Sequence, residues 1–335
     1  MRDQGLVLVL GVVLAVALLP APAVADRLTV LEENDSLYFH TDKHYTQGLR
    51  IDDLSPALAS GDAWDRLFDV VAAHSPIFAA PPTERRYALF LGQSVFTPEN
   101  LTRKPPDPHD RPYAGWLYGG ASLLQDSGRS LENLELDLGV VGPAAFGKQV
   151  QNDWHQFIGI AQARGWSRQL QNEPGAVLAY ERFWRVPLVG DGTRGVDVVP
   201  QLGAVVGNVF TYGEAGALLR IGGDLGADYG PSRVRPALDG TDYFDDANAA
   251  DGLDGYFYLG AQGRVVGRNI FLDGNSFRAS PSVPKKTLVA DLEGGMALYW
   301  SAAVKLDLSV VLRTDEFAGQ RTPDAIGTAS VAFAW

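Results

Sequence analysis

The chain has 335 residues, 46% of them hydrophobic, a formal net charge of −12 and no cysteine. The missing cysteines exclude a disulfide framework, thiolate metal sites and a lipidated N-terminal cysteine, and the acidic balance argues against nucleic acid as a partner. After the N-terminal leader no run of about 18 apolar residues could form a spanning helix.

Residues 1–25 read as a secretory signal, with Arg2 as the positive start, Gly5 to Leu19 as the apolar stretch and Ala23-Val24-Ala25 as the small-x-small cleavage site. Its removal takes away one basic residue (Arg2) and one acidic residue (Asp3), so the net charge of −12 stands for the mature domain at 26–335. That domain alternates. Leu134, Leu136, Leu138 and Val140 face Asn133, Glu135 and Asp137 across a period of two, and Leu288, Ala290 and Leu292 do the same against Thr287, Asp291 and Glu293. From Val304 to Leu312 every even position is aliphatic, while the odd ones are mostly polar. Such a pattern fits a half-buried soluble sheet or a transmembrane barrel with lipid outside and a polar lumen. The last segment, Ala329 to Trp335, alternates to its end and closes on an aromatic, as barrel strands at a membrane interface do. The reading is all-β: an outer-membrane antiparallel β-barrel in contact with outer-membrane lipids.

The predicted strands are 27–35, 44–54, 86–96, 112–125, 132–142, 174–187, 196–208, 211–223, 255–266, 286–299, 302–314 and 325–335, about twelve in all. An even number leaves both termini on the periplasmic side and puts 36–43, 97–111, 143–173, 267–285 and 315–324 outside. Two long segments, 55–85 and 224–254, then fall on the periplasmic side, where turns are short; this points to a misplaced pair of strands. In the first of them Trp64, Leu67, Phe68, Val70 and Val71 suggest a small amphipathic helix.

The stretch Gly142 to Gly159 is the best helix candidate in an extracellular loop. Pro143 suits a first helical position, and Phe146, Val150, Trp154 and Ile158 form one apolar stripe. Gln151, Asn152 and His155 share another face. His155 is a candidate general base, because imidazole titrates near neutrality, or else it merely faces water. Strand parity gathers further polar motifs at the same end. Asn34-Asp35 closes the first strand, Thr46 lies early in the second, and Arg103-Lys104 precedes Asp110-Arg111-Pro112-Tyr113-Ala114-Gly115-Trp116.

These residues resemble the LpxR-type lipid A deacylases. Asn34-Asp35, Tyr45-Thr46-x-Gly48, the Asp110 to Trp116 run, Gly142-Pro143 with Val150-Gln151-Asn152-x-x-His155, Phe271-Leu272-Asp273-Gly274-Asn275 and Glu316-Phe317-x-Gly319-Gln320 follow the family's order over the whole mature chain. The resemblance implies a twelve-stranded outer-membrane barrel that removes the 3′-linked acyloxyacyl chain of lipid A in a calcium-dependent way. It implies His155 as the base that activates water, with Asn34, Asp35 and Thr46 catalytic beside it. Asp35 and Asn34 would hold Ca²⁺, whose preference for oxygen ligands suits them. Arg103, Lys104 and Gln151 would bind lipopolysaccharide, with either cation at a glucosamine phosphate. The carboxylate that some members carry a turn after the histidine is missing, since Ala161 and Gln162 stand there. A monomer is expected. An outer-membrane phospholipase and a porin-like channel are the competing readings; the first usually needs a serine beside the histidine and the second needs no chemistry.

Overall fold

The computed structural model describes residues 27–39, 41–192, 194–236, 243–244, 252–300 and 303–334. The signal segment and Trp335 lie outside them. Twelve strands close into one antiparallel barrel: β1 (Arg27–Asn34), β2 (His44–Leu54), β3 (Glu84–Thr97), β4 (Ala114–Asp126), β5 (Ser130–Val141), β6, β7 (Gly195–Gly207), β8 (Phe210–Gly222), β9 (Leu253–Asn269), β10 (Leu288–Trp300), β11 (Val304–Arg313) and β12 (Asp324–Ala334). Strand β6 consists of Glu173–Trp184 and Val186–Gly190, interrupted at Arg185; both parts pair with β7, so thirteen paired segments make twelve strands. Closure runs through β1 and β12, from Arg27 opposite Ala334 to Asn34 opposite Gly327.

The two-residue period sorts side chains across the wall. In β10 Leu288, Ala290 and Leu292 are exposed while Val289, Asp291 and Glu293 are buried. Leu89, Leu91, Leu136, Leu138, Leu202, Leu219, Ile221 and Leu259 continue the exposed aliphatic set around the barrel. The charges therefore point inward, and the arrangement is that of a membrane barrel rather than a soluble sheet.

The long segments that suggested misplaced strands have another explanation. From Asp224 to Pro236 the chain is buried, because after β8 it turns back into the lumen. Arg233 donates to Glu33 at 2.6 Å, Arg235 to Glu135 at 3.2 Å and to Glu181 at 2.8 Å. Asp228 accepts from Arg220 at 2.6 Å and from Lys305 at 2.6 Å. The carbonyl of Pro236 accepts from Arg313 at 2.8 Å, near the mouth, whereas Tyr229 and Tyr243 both donate to Asp126 at the opposite end. Buried charges are tolerated where they are paired, and here plug and wall supply each other's partners. The other segment forms the expected amphipathic helix, α1 (Ala63–His74), packed on the outside of the wall.

Candidate active site

The loop between β5 and β6 carries the second long helix, α2 (Gly147–Ile158). The strand turns out of the wall at Gly142, whose φ of 106° and whose closeness to the Gln171 carbonyl leave no room for a side chain. Pro143 opens a single 3₁₀ turn, Pro143–Ala145, and the α-helix starts only after Phe146, which takes the left-handed conformation. Gly159, at φ 75°, ends it with the left-handed cap that favours glycine.

The faces of α2 are inverted relative to a helix on a soluble protein. Gln151 and His155 are each 3% exposed, whereas Phe146 is 53%, Trp154 37% and Phe157 65% exposed. Gln151 and His155 are turned into the barrel mouth, while Phe146, Trp154 and Phe157 face away from it beside exposed Lys148, Asp153 and Gln156. Gln151 takes its orientation from Trp166, whose indole N–H donates to the side-chain oxygen at 2.9 Å. Its amide nitrogen is thereby left to donate to Asp42 at 3.1 Å. One turn on, His155 is held through both ring nitrogens. Nδ1 lies 2.7 Å from the carbonyl of Ala161 and Nε2 lies 2.7 Å from Oδ2 of Asp42. Among the described residues neither nitrogen meets a hydroxyl. Burial disfavours the charged ring, but the Asp42 carboxylate and the Ala161 carbonyl outweigh it and raise the His155 pKa above its ordinary value of 6.5.

Asp42 sits in the loop from β1 to β2, and that loop also shapes the two motif residues at its start. The side-chain oxygen of Asn34 accepts from the backbone N–H of Ser36 at 2.8 Å and from its hydroxyl at 2.6 Å, an Asx turn that places Asp35. Asp35 is 2% exposed. Its Oδ2 accepts from the Lys43 N–H, its carbonyl from the Thr41 hydroxyl, and its Oδ1 is buried without a hydrogen-bond partner. Burial raises the Asp35 pKa well above the usual carboxylate range, against the pull of the Lys43 N–H, and the Asp42 charge adds to the rise. An orphaned buried carboxylate oxygen beside a second carboxylate suits a hard cation, although among the described residues no group of three or more His, Cys, Asp or Glu forms a metal cage.

Thr46 is the extra residue of a β-bulge, the register of β2 against β3 shifting between Tyr45 and Gln47; its hydroxyl lies 2.7 Å from that of Thr97. Bulges of this kind re-aim side chains at the rims of barrels. Arg103 and Lys104 are exposed on the loop after β3, with Arg103 paired to Asp107 rather than to the cleft. The remaining motifs brace the mouth. Arg111 donates to Glu316 at 2.6 Å, His44 meets Asp324 at 2.7 Å and Asp110 at 3.5 Å, and Asn275 ties the loop after β9 to Gln171 and Glu173.

The structure thus brings His155, Gln151 and Asp42 together beside Asn34 and Asp35, with Thr46 on the adjoining strand. Asp42 was not singled out by the sequence. It stands in the predicted outer connection 36–43, but 113 positions separate it from its partner, and an Asp-Lys pair in a loop reads as solvated.

A family model described as outer membrane protein LpxR matches residues 7–335. Among solved structures, LpxR from Salmonella typhimurium superposes with a TM-score of 0.71 at 22% identity, covering 92% of this chain and all of that one. The β domain of the Bordetella autotransporter BrkA gives a TM-score of 0.46 at 13% identity, over 94% of this chain and all of that one. A search of curated proteins gives no match.

Proposed function

The chain belongs to the LpxR outer membrane protein family, and on that premise we propose that it is a lipid A deacylase that hydrolyses the 3′-linked acyloxyacyl ester with His155 as general base. The observation that carries the reading is the inverted helix. α2 turns its histidine into a cleft and its aromatic residues outward, which suits an enzyme whose ester sits at the level of a lipid leaflet. On this reading the mouth faces outward from the cell, and the closed barrel acts as a monomer.

The Ala161 carbonyl accepts from Nδ1–H and fixes the tautomer, so Nε2 is the basic nitrogen. For the reaction Asp42 releases that nitrogen to a water, while Gln151 remains its second tether. Nε2 takes a proton from water as the water oxygen bonds to the ester carbonyl carbon, whose π pair moves onto oxygen. The tetrahedral species then collapses, the bond to the 3′ oxygen breaks, and the imidazolium returns the proton to that leaving alkoxide. The products are a free carboxylic acid and a 3′-hydroxyl. Asp35, through its orphaned Oδ1, and Asp42 are the residues that would hold Ca²⁺, with Asn34 setting the turn that presents Asp35. Bound calcium would supply positive charge for the developing oxyanion. Thr46 keeps the bulge beside this site in shape, and Gln151 with Arg103 or Lys104 would meet the polar head of the substrate.

The competing readings gain no support. A serine phospholipase needs a hydroxyl at His155, and an open channel needs a lumen that the segment 224–236 does not leave. Mass spectrometry of lipid A from cells making the wild-type chain or His155→Ala tests the proposal. Wild type should lose the 3′ acyloxyacyl group, while the variant forms the same barrel and loses about 10²–10⁴-fold in rate, the usual effect of removing a general base. Undiminished deacylation by His155→Ala would sink it.

A further inference from the structure

We propose that α1 is an interfacial anchor, lying in the headgroup–acyl boundary of the membrane leaflet at the end of the barrel that carries the chain termini. The proposal stands on the barrel's place in the membrane and not on its chemistry. Helix α1 packs on the lipid-facing side of the wall. Phe68, with Phe78, covers Leu123, while Trp64 and Val71 pack against the same patch, which includes Tyr87 and Leu134. Tyr87 and Leu123 are opposite one another in β3 and β4 and belong to the outward set, since Arg86, Ala88 and Phe90 are the inward ones. The same outward rows continue toward the mouth as Leu89 and Leu91 in β3 and as Leu136 and Leu138 in β5, all exposed. The helix therefore borders the hydrocarbon belt directly.

Its two flanks agree with that border. On the side toward the belt Trp64 stacks on Tyr87, with ring centroids 4.4 Å apart. On the side toward the strand ends Asp65 and Asp69 both accept from Arg85, at 2.8 and 2.9 Å. Charges thus lie toward water and the aromatic pair toward lipid, as interfacial tryptophan and tyrosine prefer. The face turned away from the wall then has an occupant. Leu67 is 41% and Val70 56% exposed, three positions apart on that face. At this depth they enter the same acyl chains that meet Leu89 and Leu91, and an amphipathic helix buried a few ångströms into a leaflet is stable there.

The absence of cysteine makes the test direct. Single nitroxide labels at Leu67→Cys and Val70→Cys are compared with labels at Asp62→Cys, on the exposed start of the helix, and at Leu138→Cys, on the belt. The purified chain is reconstituted into phosphatidylethanolamine–phosphatidylglycerol vesicles, and collision with oxygen is measured against collision with a water-soluble nickel chelate. Positions 67 and 70 should favour oxygen, as position 138 does, and position 62 should favour nickel. Nickel preference at both 67 and 70, matching position 62, would overturn the anchor and leave that face to water or to another protein.

Discussion

Oδ2 of Asp42 lies 2.7 Å from Nε2 of His155, the ring nitrogen proposed as the base, while Nδ1 faces the Ala161 carbonyl. A carboxylate in that place stabilises the imidazolium, so His155 titrates above 6.5 and the base form is present only at higher pH. In the calcium-free protein the imidazole should accordingly titrate above the ordinary histidine range. Asp42→Asn removes the charge while keeping the size, and should lower the pH at which His155 titrates in the chelated protein, read from its imidazole NMR signals. The link to stability has the same sign. Because the folded pKa is raised, the tie between α2 and the β1–β2 loop is complete below 6.5 and is lost as pH rises through the folded value. A titration that does not move in Asp42→Asn would show that Asp42 does not control His155.

Asp35 tests the cation. Its Oδ1 is buried and unpartnered, and a carboxylate left so is costly unless a proton or a metal meets it. Two carboxylates make a modest calcium site, so activity should need calcium near the range of extracellular modules, roughly 10⁻⁴–10⁻³ M. Mg²⁺ should substitute poorly, since it holds its water and demands a tighter octahedron. Asp35→Asn should raise the calcium requirement or abolish hydrolysis without unfolding the barrel. Calcium titration of ester release after exhaustive chelation decides the matter; full activity in the chelated wild type would defeat a role for the metal.

The luminal plug predicts a large effect far from the cleft. Arg235 is buried between Glu135 and Glu181, so Arg235→Ala removes a cation shared by two buried carboxylates, although Arg50 still meets Glu135. Breaking such a buried pair destabilises by about 3–5 kcal/mol. Arg194 pairs with Asp254 near the terminal end but is 70% exposed, and Arg194→Ala should stay within about 1 kcal/mol. Denaturant unfolding in detergent checks both. The wild-type barrel should also fail to conduct in a planar bilayer, and a steady porin-sized current would contradict a filled lumen.

The barrel was legible because lipid outside and charge inside force a strict period of two. Leu288 to Glu293 shows the pattern in sequence and again as exposure in the structure. The helix was legible for a similar reason, since Gln151 and His155 lie four residues apart and share a face. Which of its faces would be buried was not, because on the usual rule Phe146 and Trp154 would turn inward; the surroundings of the helix decide, and periodicity does not record them. The plug was illegible for another reason. Arg233-Val234-Arg235 has no period and reads as a solvated turn, yet its partners are Glu33, Glu135 and Glu181, set on three different strands. The Asp42–His155 pair shares that limit, because contacts between distant loops are made by closure of the barrel and leave no local mark.

The outward face of α2 supplies the last prediction. Phe157 is 65% exposed and Trp154 37%, and their rings lie 5.7 Å apart, one turn along the helix that carries His155. If the ester is presented from a leaflet, these rings stand among acyl chains while His155 stands over the cleft. Full burial of an aromatic side chain in an apolar surrounding contributes about 1.5–3 kcal/mol. An aspartate in its place loses that contribution and adds a charge at the lipid boundary. Phe157→Asp should therefore raise KM for membrane-embedded lipid A by roughly tenfold or more, since 1.4 kcal/mol corresponds to a factor of ten. It should change kcat little, because the contact is the same in the bound ester and in the transition state. A soluble short-chain ester should be cleaved by the variant at the wild-type rate. Should kcat fall instead with KM unchanged, Phe157 acts by holding the helix, and the presentation of the ester from the leaflet would have to depend on another part of the mouth.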